Sequence, residues 1–407
     1  MKKMISLLLA LCMVFALCAC GSKTGTSAPT GTDTANGAAA GDNVITIGHI
    51  SPMTGSLAMY GTATTNSAKL AVKQINDAGG VKVGDKTYTL ALDAKDDQGD
   101  PTEALNAFNG LTADGVQLVV GSVTSACTAA ITSAANAAGV CLITGCSTAD
   151  SITTTSDYIF RSCFKDSYQG SIAAYYAYKN NYKSVGVIYC AADTYSKGLY
   201  DAFTAACSAH GITVAAKQST DTMDAVDFTN QVQAMVDAGV DYIFCPYYYS
   251  AVGPYLVPQA RAAGYKGVIF GADGFDGTCD VVSAGTESAF HDVLFCTHYS
   301  NDSDSDKVKS YVSAYKAAYG IDPNALGALV YDAVFMYKQA IEGAKSFAAK
   351  DVQAYLADTS NVYDCVTGKF SLDKTGTPEK GAVINSIEDK DGKVVQTLKD
   401  TISSLDW

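Results

Sequence analysis

The 407-residue chain is 17% charged and 48% hydrophobic, which excludes intrinsic disorder and leaves enough apolar surface for two or three buried cores. Its formal net charge of −13 excludes a nucleic-acid-binding face, because such a face needs clustered Lys and Arg. Small-molecule partners stay open.

Residues 1–19 read as an export signal. Lys2 and Lys3 precede an apolar run from Ile5 to Leu17 that is too short to span a bilayer. The run ends Leu17-Cys18-Ala19-Cys20-Gly21, which resembles the lipobox of bacterial lipoproteins. That resemblance implies cleavage before Cys20, diacylation of its thiol and anchoring to the membrane by acyl chains. Residues 20–43 are mostly Gly, Ser, Thr and Ala, a composition that cannot bury a core and therefore acts as a flexible tether. Anchor and tether together predict a folded part outside the cytoplasmic membrane.

From Asn43 onward the pattern alternates strand and helix. Strands are predicted to begin near 44, 87, 117 and 140, from short runs rich in Val, Ile and Leu. Between them, helices are predicted over 61–78, 101–111 and 127–138, with glycines as stops at Gly79-Gly80 and Gly139. The order returns after Lys183, with strands near 185, 212, 242 and 268 and helices over 196–209, 228–238 and 253–263. Two successive runs of this kind imply two parallel-sheet lobes. The remainder gives a strand at 293–297, helices over 307–319, 326–344 and 352–356, and strands at 367–372 and 383–387. These pieces are too few for a third lobe, so the chain is expected to cross between the two lobes more than once.

The strands at 117–120 and 140–143 both run into loops of Gly, Ser and Thr, namely Gly121-Ser122-Val123-Thr124-Ser125 and Thr144-Gly145-Cys146-Ser147-Thr148. Parallel neighbours end at the same sheet edge, where open α/β sheets bind ligands. Hydroxyls and helix-start amides there suit a carboxylate. The same residues also make ordinary strand-to-helix turns. Of the 13 cysteines, the ten from Cys127 to Cys365 sit mostly alone in apolar runs, without ligand spacing. They read as reduced core residues rather than a disulfide framework or a zinc site.

Several runs in order carry a resemblance: Ile47-Gly48-His49-Ile50-Ser51-Pro52-Met53-Thr54-Gly55, Ala71-Val72-Lys73-Gln74-Ile75-Asn76-Asp77-Ala78-Gly79-Gly80, Asp96-Asp97-Gln98-Gly99-Asp100-Pro101, Val119-Val120-Gly121-Ser122, Phe160-Arg161-Ser162 and Gln259-Ala260-Arg261-Ala262-Ala263-Gly264. Over residues 44–397 the chain resembles the type I periplasmic binding proteins of ABC importers, in the branched-chain amino-acid (Leu/Ile/Val) group. The resemblance implies an α/β fold of two Rossmann-like lobes, parallel sheets with flanking helices, joined by three crossover hinges with ligand in the interlobe cleft. By position the crossovers fall near 164–166, 296–299 and 370–373. The N-terminal lobe then takes 44–164 and 298–370, and the C-terminal lobe 165–297 and 371–407. Closure around the ligand is the hinge motion such an architecture implies.

The resemblance also implies site residues. Ser125 matches a serine whose hydroxyl and amide hold the α-carboxylate. Cys146, Ser147 and Thr148 follow the next strand, with Thr148 able to meet carboxylate and ammonium. Asp273 matches an acid that pairs with the ammonium, although Asp stands where Glu is familiar and its reach is shorter. Tyr195 and Tyr249 match tyrosines of the second lobe, and Tyr60 an aromatic at the cleft mouth. Gln98 and Thr124 stand where some relatives have a disulfide. The groups also suit a zwitterion on their own terms, with donors for a carboxylate and a carboxylate for an ammonium. Tyr195 and Tyr249 also read as lobe surface and Asp273 as a turn residue. The implied role is capture of an amino acid, branched-chain or hydrophobic, for an ABC permease, by a monomer needing no cofactor or metal. The fold also serves amides, urea and aromatic acids, and these stay as alternatives.

A hydrolytic enzyme is the rival class. Gly145-Cys146-Ser147-Thr148-Ala149 resembles a nucleophile elbow, but Ala replaces the last Gly and only four histidines exist to serve it. Gly271-Ala272-Asp273-Gly274-Phe275-Asp276-Gly277 lacks the G-x-G-x-x-G spacing. Asp302 to Asp306 begins like a calcium loop, but Lys307 occupies its Gly position and Ser313 its Glu position. The sequence therefore reads as a binding protein and not an enzyme.

Overall fold

A computed structural model describes residues 43–407. The expected export signal at 1–19, the expected lipid site at Cys20 and all of the expected tether but Asn43 lie outside the described residues. The first lobe begins with β1 (Val44–Ser51), α1 (Ala58–Asp77), β2 (Val81–Val83), β3 (Lys86–Asp96), α2 (Pro101–Ala113), β4 (Leu118–Val120), α3 (Ser125–Ala138), β5 (Cys141–Thr144) and β6 (Ile159–Arg161). Its sheet has the order β2-β3-β1-β4-β5-β6 and is parallel except for the β2–β3 hairpin. The chain then builds α4 (Asp166–Lys179), β7 (Ser184–Cys190), α5 (Thr194–Ala209), β8 (Thr213–Thr220), α6 (Thr229–Asp237), β9 (Tyr242–Phe244), α7 (Tyr249–Ala251), α8 (Val257–Ala262), β10 (Val268–Gly271) and β11 (Val293–Thr297). A π-helical turn at Val252–Leu256 joins α7 to α8.

The last third patches both lobes. Helices α9 (Asp306–Tyr319), α10 (Ala325–Ala344) and α11 (Ala349–Leu356) and the hairpin β12 (Val362–Cys365) and β13 (Gly368–Ser371) return to the first lobe. There α10 packs along α1, and the Tyr337 hydroxyl lies 2.9 Å from the Val119 carbonyl and 2.7 Å from that of Cys141. Strands β14 (Ala382–Lys390) and β15 (Lys393–Ile402) then extend the second sheet, whose order is β15-β14-β11-β10-β9-β7-β8. Both are antiparallel additions to an otherwise parallel sheet.

Local chemistry sets the helix starts that face the cleft. Thr124 caps α3 by accepting the Cys127 amide, and Gly139 ends the helix in the left-handed region at φ 62°. Asp193 caps α5 through the Ser196 amide at 2.8 Å, and Asn324 caps α10 through that of Gly327 at 2.9 Å. Helix α4 escapes prediction because its buried residues (Ile172, Ala173, Ala174 and Ala177) and flanking tyrosines spread round the helix instead of forming a stripe. Strands β2, β6 and β12 are too short for a periodic signal, and β15 is too polar.

The chain passes between the lobes after β6 and again after β11. Its third passage corrects the expectation. Leu372 bridges Pro378, and the Gly376 carbonyl accepts the Arg161 amide at 3.0 Å. Residues 372–378 therefore stay with the first lobe, and the crossing falls at 379–381 rather than 370–373. Lys380 ties this passage to the first one, donating to the Ser162 carbonyl at 2.6 Å and to Thr367 Oγ1 at 2.8 Å. All ten cysteines from Cys127 to Cys365 are free and all but the half-buried Cys279 are buried.

Candidate functional site

Strands β4 and β5 pair in parallel, with Val120 beside Ile143, so their following loops share one edge of the first sheet. That edge faces the second lobe's loop after β10. Between them lies a small cavity of about 20 Å³. The first lobe lines it with Tyr60 from α1, Val123, Thr124 and Ser125 at the start of α3, Cys146 after β5 and Leu326 from α10. The second lobe adds Tyr195 from α5, Tyr248 before α7, and Asp273 and Gly274 after β10.

Asp273 is the charged member. It is 3% exposed, and each oxygen has a neighbour: the Tyr195 hydroxyl donates to Oδ1 at 2.9 Å, and His298 Nε2 lies 3.4 Å from Oδ2. Its amide donates to Gln169 Oε1 at 3.1 Å. The Tyr195 hydroxyl also accepts the Gly274 amide at 2.9 Å, and its ring stacks on Tyr248 with centroids 5.2 Å apart. Burial raises the hydroxyls of Tyr60, Tyr195 and Tyr248 well above the usual phenol range, so all three stay protonated donors.

Five of the sequence-predicted residues meet at this cavity: Tyr60, Ser125, Cys146, Tyr195 and Asp273. Three do not. Ser147 turns away, its hydroxyl 2.5 Å from that of Thr128 and within reach of the carbonyls of Ser122, Val123 and Thr124. It fastens one loop to the other and commits its proton within the first lobe. Tyr249 is displaced outward by the turn into α7. Its hydroxyl donates to the Ser56 carbonyl at 2.9 Å and accepts the Met59 amide at 3.2 Å, so it clasps the cleft mouth. Its neighbour Tyr248 takes the wall position. Thr148 is fully buried just behind the wall, and its hydroxyl has no hydrogen-bond partner among the described residues.

The sequence takes Tyr247 and Tyr248 as one core and one cleft-adjacent residue, and Tyr248 is the one on the wall; sequence reasoning missed Leu326, Asp166 and His298. Leu326 comes from a helix 180 residues beyond Cys146, whose thiol donates to its carbonyl, and no local pattern announces that meeting. Asp166 starts α4, its amide 2.8 Å from the Thr148 carbonyl. It is 1% exposed, and neither carboxylate oxygen has a partner among the described residues. Burial raises its pKa well above the ordinary carboxylate value, with the Asp273 charge adding to the rise. An acid opening a helix is ordinary in sequence, which hid it.

A larger groove of about 980 Å³ lies outside, between the start of α1, the loop at 321–324 and the β14–β15 turn. It bears the exposed Asp280 and Asp322 and the half-buried Glu287 against the exposed Lys393. The small cavity is the better site because opposite polar groups converge there on buried, fixed positions. Hydroxyl and helix-start amide groups of the first lobe suit a carboxylate, and Asp273 of the second suits a cation.

The chain matches the periplasmic binding protein family over residues 44–393. It is 32% identical over 337 residues to the Leu/Ile/Val-binding protein homolog 3 of Brucella melitensis, covering 82% of this chain and 88% of that one. It is also 32% identical to the Leu/Ile/Val-binding protein BraC3 of Rhizobium johnstonii over 338 residues, at the same two coverages. Among solved structures, LivJ of Streptococcus pneumoniae in complex with isoleucine superposes with a TM-score of 0.78 at 32% identity, covering 88% of this chain and 100% of that one. A Rhodopseudomonas palustris solute-binding protein holding 3,4-dihydroxybenzoic acid shares the fold at 22% identity and a TM-score of 0.77, with coverages of 88% and 97%. These relatives are named as binding proteins. The chain belongs to the periplasmic binding protein family, in its branched-chain amino-acid (Leu/Ile/Val) binding group.

Proposed function

We propose that the protein captures an α-amino acid with an aliphatic side chain in the interlobe cleft and, by closure of the two lobes, presents it to an ABC permease. The observation that carries this is the one carboxylate on the cavity wall, the buried Asp273, which shares that wall with Ser125 and the start of α3 and with the apolar Val123, Leu326 and tyrosine rings. A carboxylate at one end and helix-start donors at the other complement both charges of a zwitterion. The cavity holds about one water molecule by volume, so a ligand of leucine's size enters only when the lobes part. Differential contact with the closed form then drives closure.

Asp273→Asn removes the charge and keeps the shape. It should cost about 2–4 kcal/mol of binding, roughly 30- to 1,000-fold in affinity, by titration calorimetry with the best of the twenty amino acids from a thermal-shift screen. Ser125→Ala should cost less, about 1–2 kcal/mol, because backbone amides still hold the carboxylate. Undiminished binding by Asp273→Asn would transfer the site to a neutral amide.

An aromatic acid is the second reading, favoured by the three tyrosine rings on the cavity wall. It leaves Asp273 facing a ligand without a cation, and a buried carboxylate in that position is costly. The amino acid is therefore preferred. Anchoring through Cys20 rests on its lipobox sequence. Cys20→Ser should release the protein from the membrane fraction, and unchanged partition of that variant refutes the anchor.

A further inference from the structure

His298 is the first residue after β11, on the second passage between the lobes, and its side chain is fully buried. Its ring stacks on Phe164 of the first passage, with centroids 3.7 Å apart and planes within 28°. On one edge Nε2 approaches Asp273 Oδ2 at 3.4 Å, while Nδ1 on the other edge has no partner among the described residues. With Tyr195 on Oδ1, the carboxylate is gripped at both oxygens.

We infer that His298 is a positioning residue that fixes the Asp273 carboxylate through a neutral Nε2–H donor, leaving its negative charge for a ligand's ammonium group. The inference deepens the amino-acid reading and rests on it. Two neutral donors, Tyr195 and His298, orient the acid without cancelling its charge. A lysine, arginine or imidazolium in the same place would pair with Asp273 and turn the site toward uncharged ligands. The surroundings keep the ring neutral: burial is the largest effect and the Lys380 ammonium adds to it, against the opposing pull of Asp273, which together lower the imidazole to about 4. The unpartnered Nδ1 fits the tautomer with its proton on Nε2. Since the ring also rests on Phe164, the acid is registered against two of the three passages that move when the lobes close.

The test compares His298→Phe, which keeps the stack on Phe164 and removes the donor, with His298→Gln, which keeps an N–H donor. Titration calorimetry uses leucine at pH 7.5. His298→Phe is expected to bind about 10- to 100-fold more weakly. His298→Gln should recover to within about fivefold of the parent, with ligand-free melting temperatures alike. Parent-like binding by His298→Phe, or equal losses in both variants, overturns the positioning role. An independent measurement needs no phenylalanine variant: the imidazole resonance absent from His298→Gln should not titrate in the parent between pH 5.5 and 8, and a midpoint near 6.5 overturns the neutral-donor role. A parent that binds none of the twenty amino acids sinks the amino-acid reading itself, before any variant is compared.

Discussion

Three residues beyond Asp273, Asp276 reaches across the cleft and accepts the Ala325 amide of the first lobe at 2.7 Å. It sits at the start of α10, where an anion is favoured. Burial nevertheless outweighs the hydrogen bond and raises its carboxyl to about 6 from an ordinary 3.8. A carboxyl raised on folding stabilises the fold fully below its unfolded value, and the contribution is lost as pH rises through its folded value. Between pH 4 and 7 the loss amounts to about 2 kcal/mol. Asp276→Asn does not titrate, so its stability relative to the parent should rise by that amount across the interval. Urea denaturation of both proteins at the two pH values measures the difference, in which the other titrating groups largely cancel. A difference that stays constant with pH would mean that Asp276 keeps an ordinary pKa.

At the scale of elements, the cleft is set by close approaches that side chains would block. Gly61 on α1 lies under the loop from β1, and a Cβ there would stand 2.0 Å from the Pro52 carbonyl oxygen and 2.6 Å from the Met53 Cα. Both are backbone atoms, so no rotamer relieves the clash. Gly61→Ala should lower stability by about 1–3 kcal/mol in urea denaturation, and because Tyr60 is adjacent it should also weaken ligand binding. An unchanged denaturation midpoint would show that the loop yields freely. On the opposite wall, the π turn at Val252–Leu256 interrupts the helix that Tyr249 begins. Pro254 and Pro258 lack amide donors, and the wider turn fits their missing bonds.

At the scale of the whole molecule, hydrogen bonds among the described residues join the lobes beside the cavity: Tyr60 to the Gly274 carbonyl at 2.6 Å, Tyr249 to Ser56 and Met59, and Asp276 to Ala325. A closed arrangement thus makes bonds that separated lobes cannot. Under the proposed closure, a ligand's apparent affinity contains the free energy of these bonds. Tyr60→Phe removes one of them and should weaken binding by about 0.5–1.5 kcal/mol, about two- to tenfold by titration calorimetry. Small-angle scattering should show the ligand-free variant more expanded than the parent. Equal affinities and equal scattering curves would mean that the Tyr60 bond does not contribute to closure.

The sequence by itself determined the alternation of strands and helices, because apolar periodicity and glycine stops are local. It also marked the β4 and β5 loops and the β10 loop, where residues of one short run share one sheet edge. Asp273, Ser125 and Cys146 were legible for that reason. Only the tertiary structure decided which of two adjacent side chains faces the cavity. Ser147 and Tyr249 are one position away from wall residues, and a single step along a turn reverses the direction of a side chain. It also decided every partner brought from afar: Leu326 from α10, His298 from the second passage and Asp166 from the first. The third passage fell later than the sequence implied because a backbone bond from Arg161 to Gly376 holds 372–378 to the first lobe. Such a bond depends on where two distant strands lie, and backbone groups carry no sequence signature.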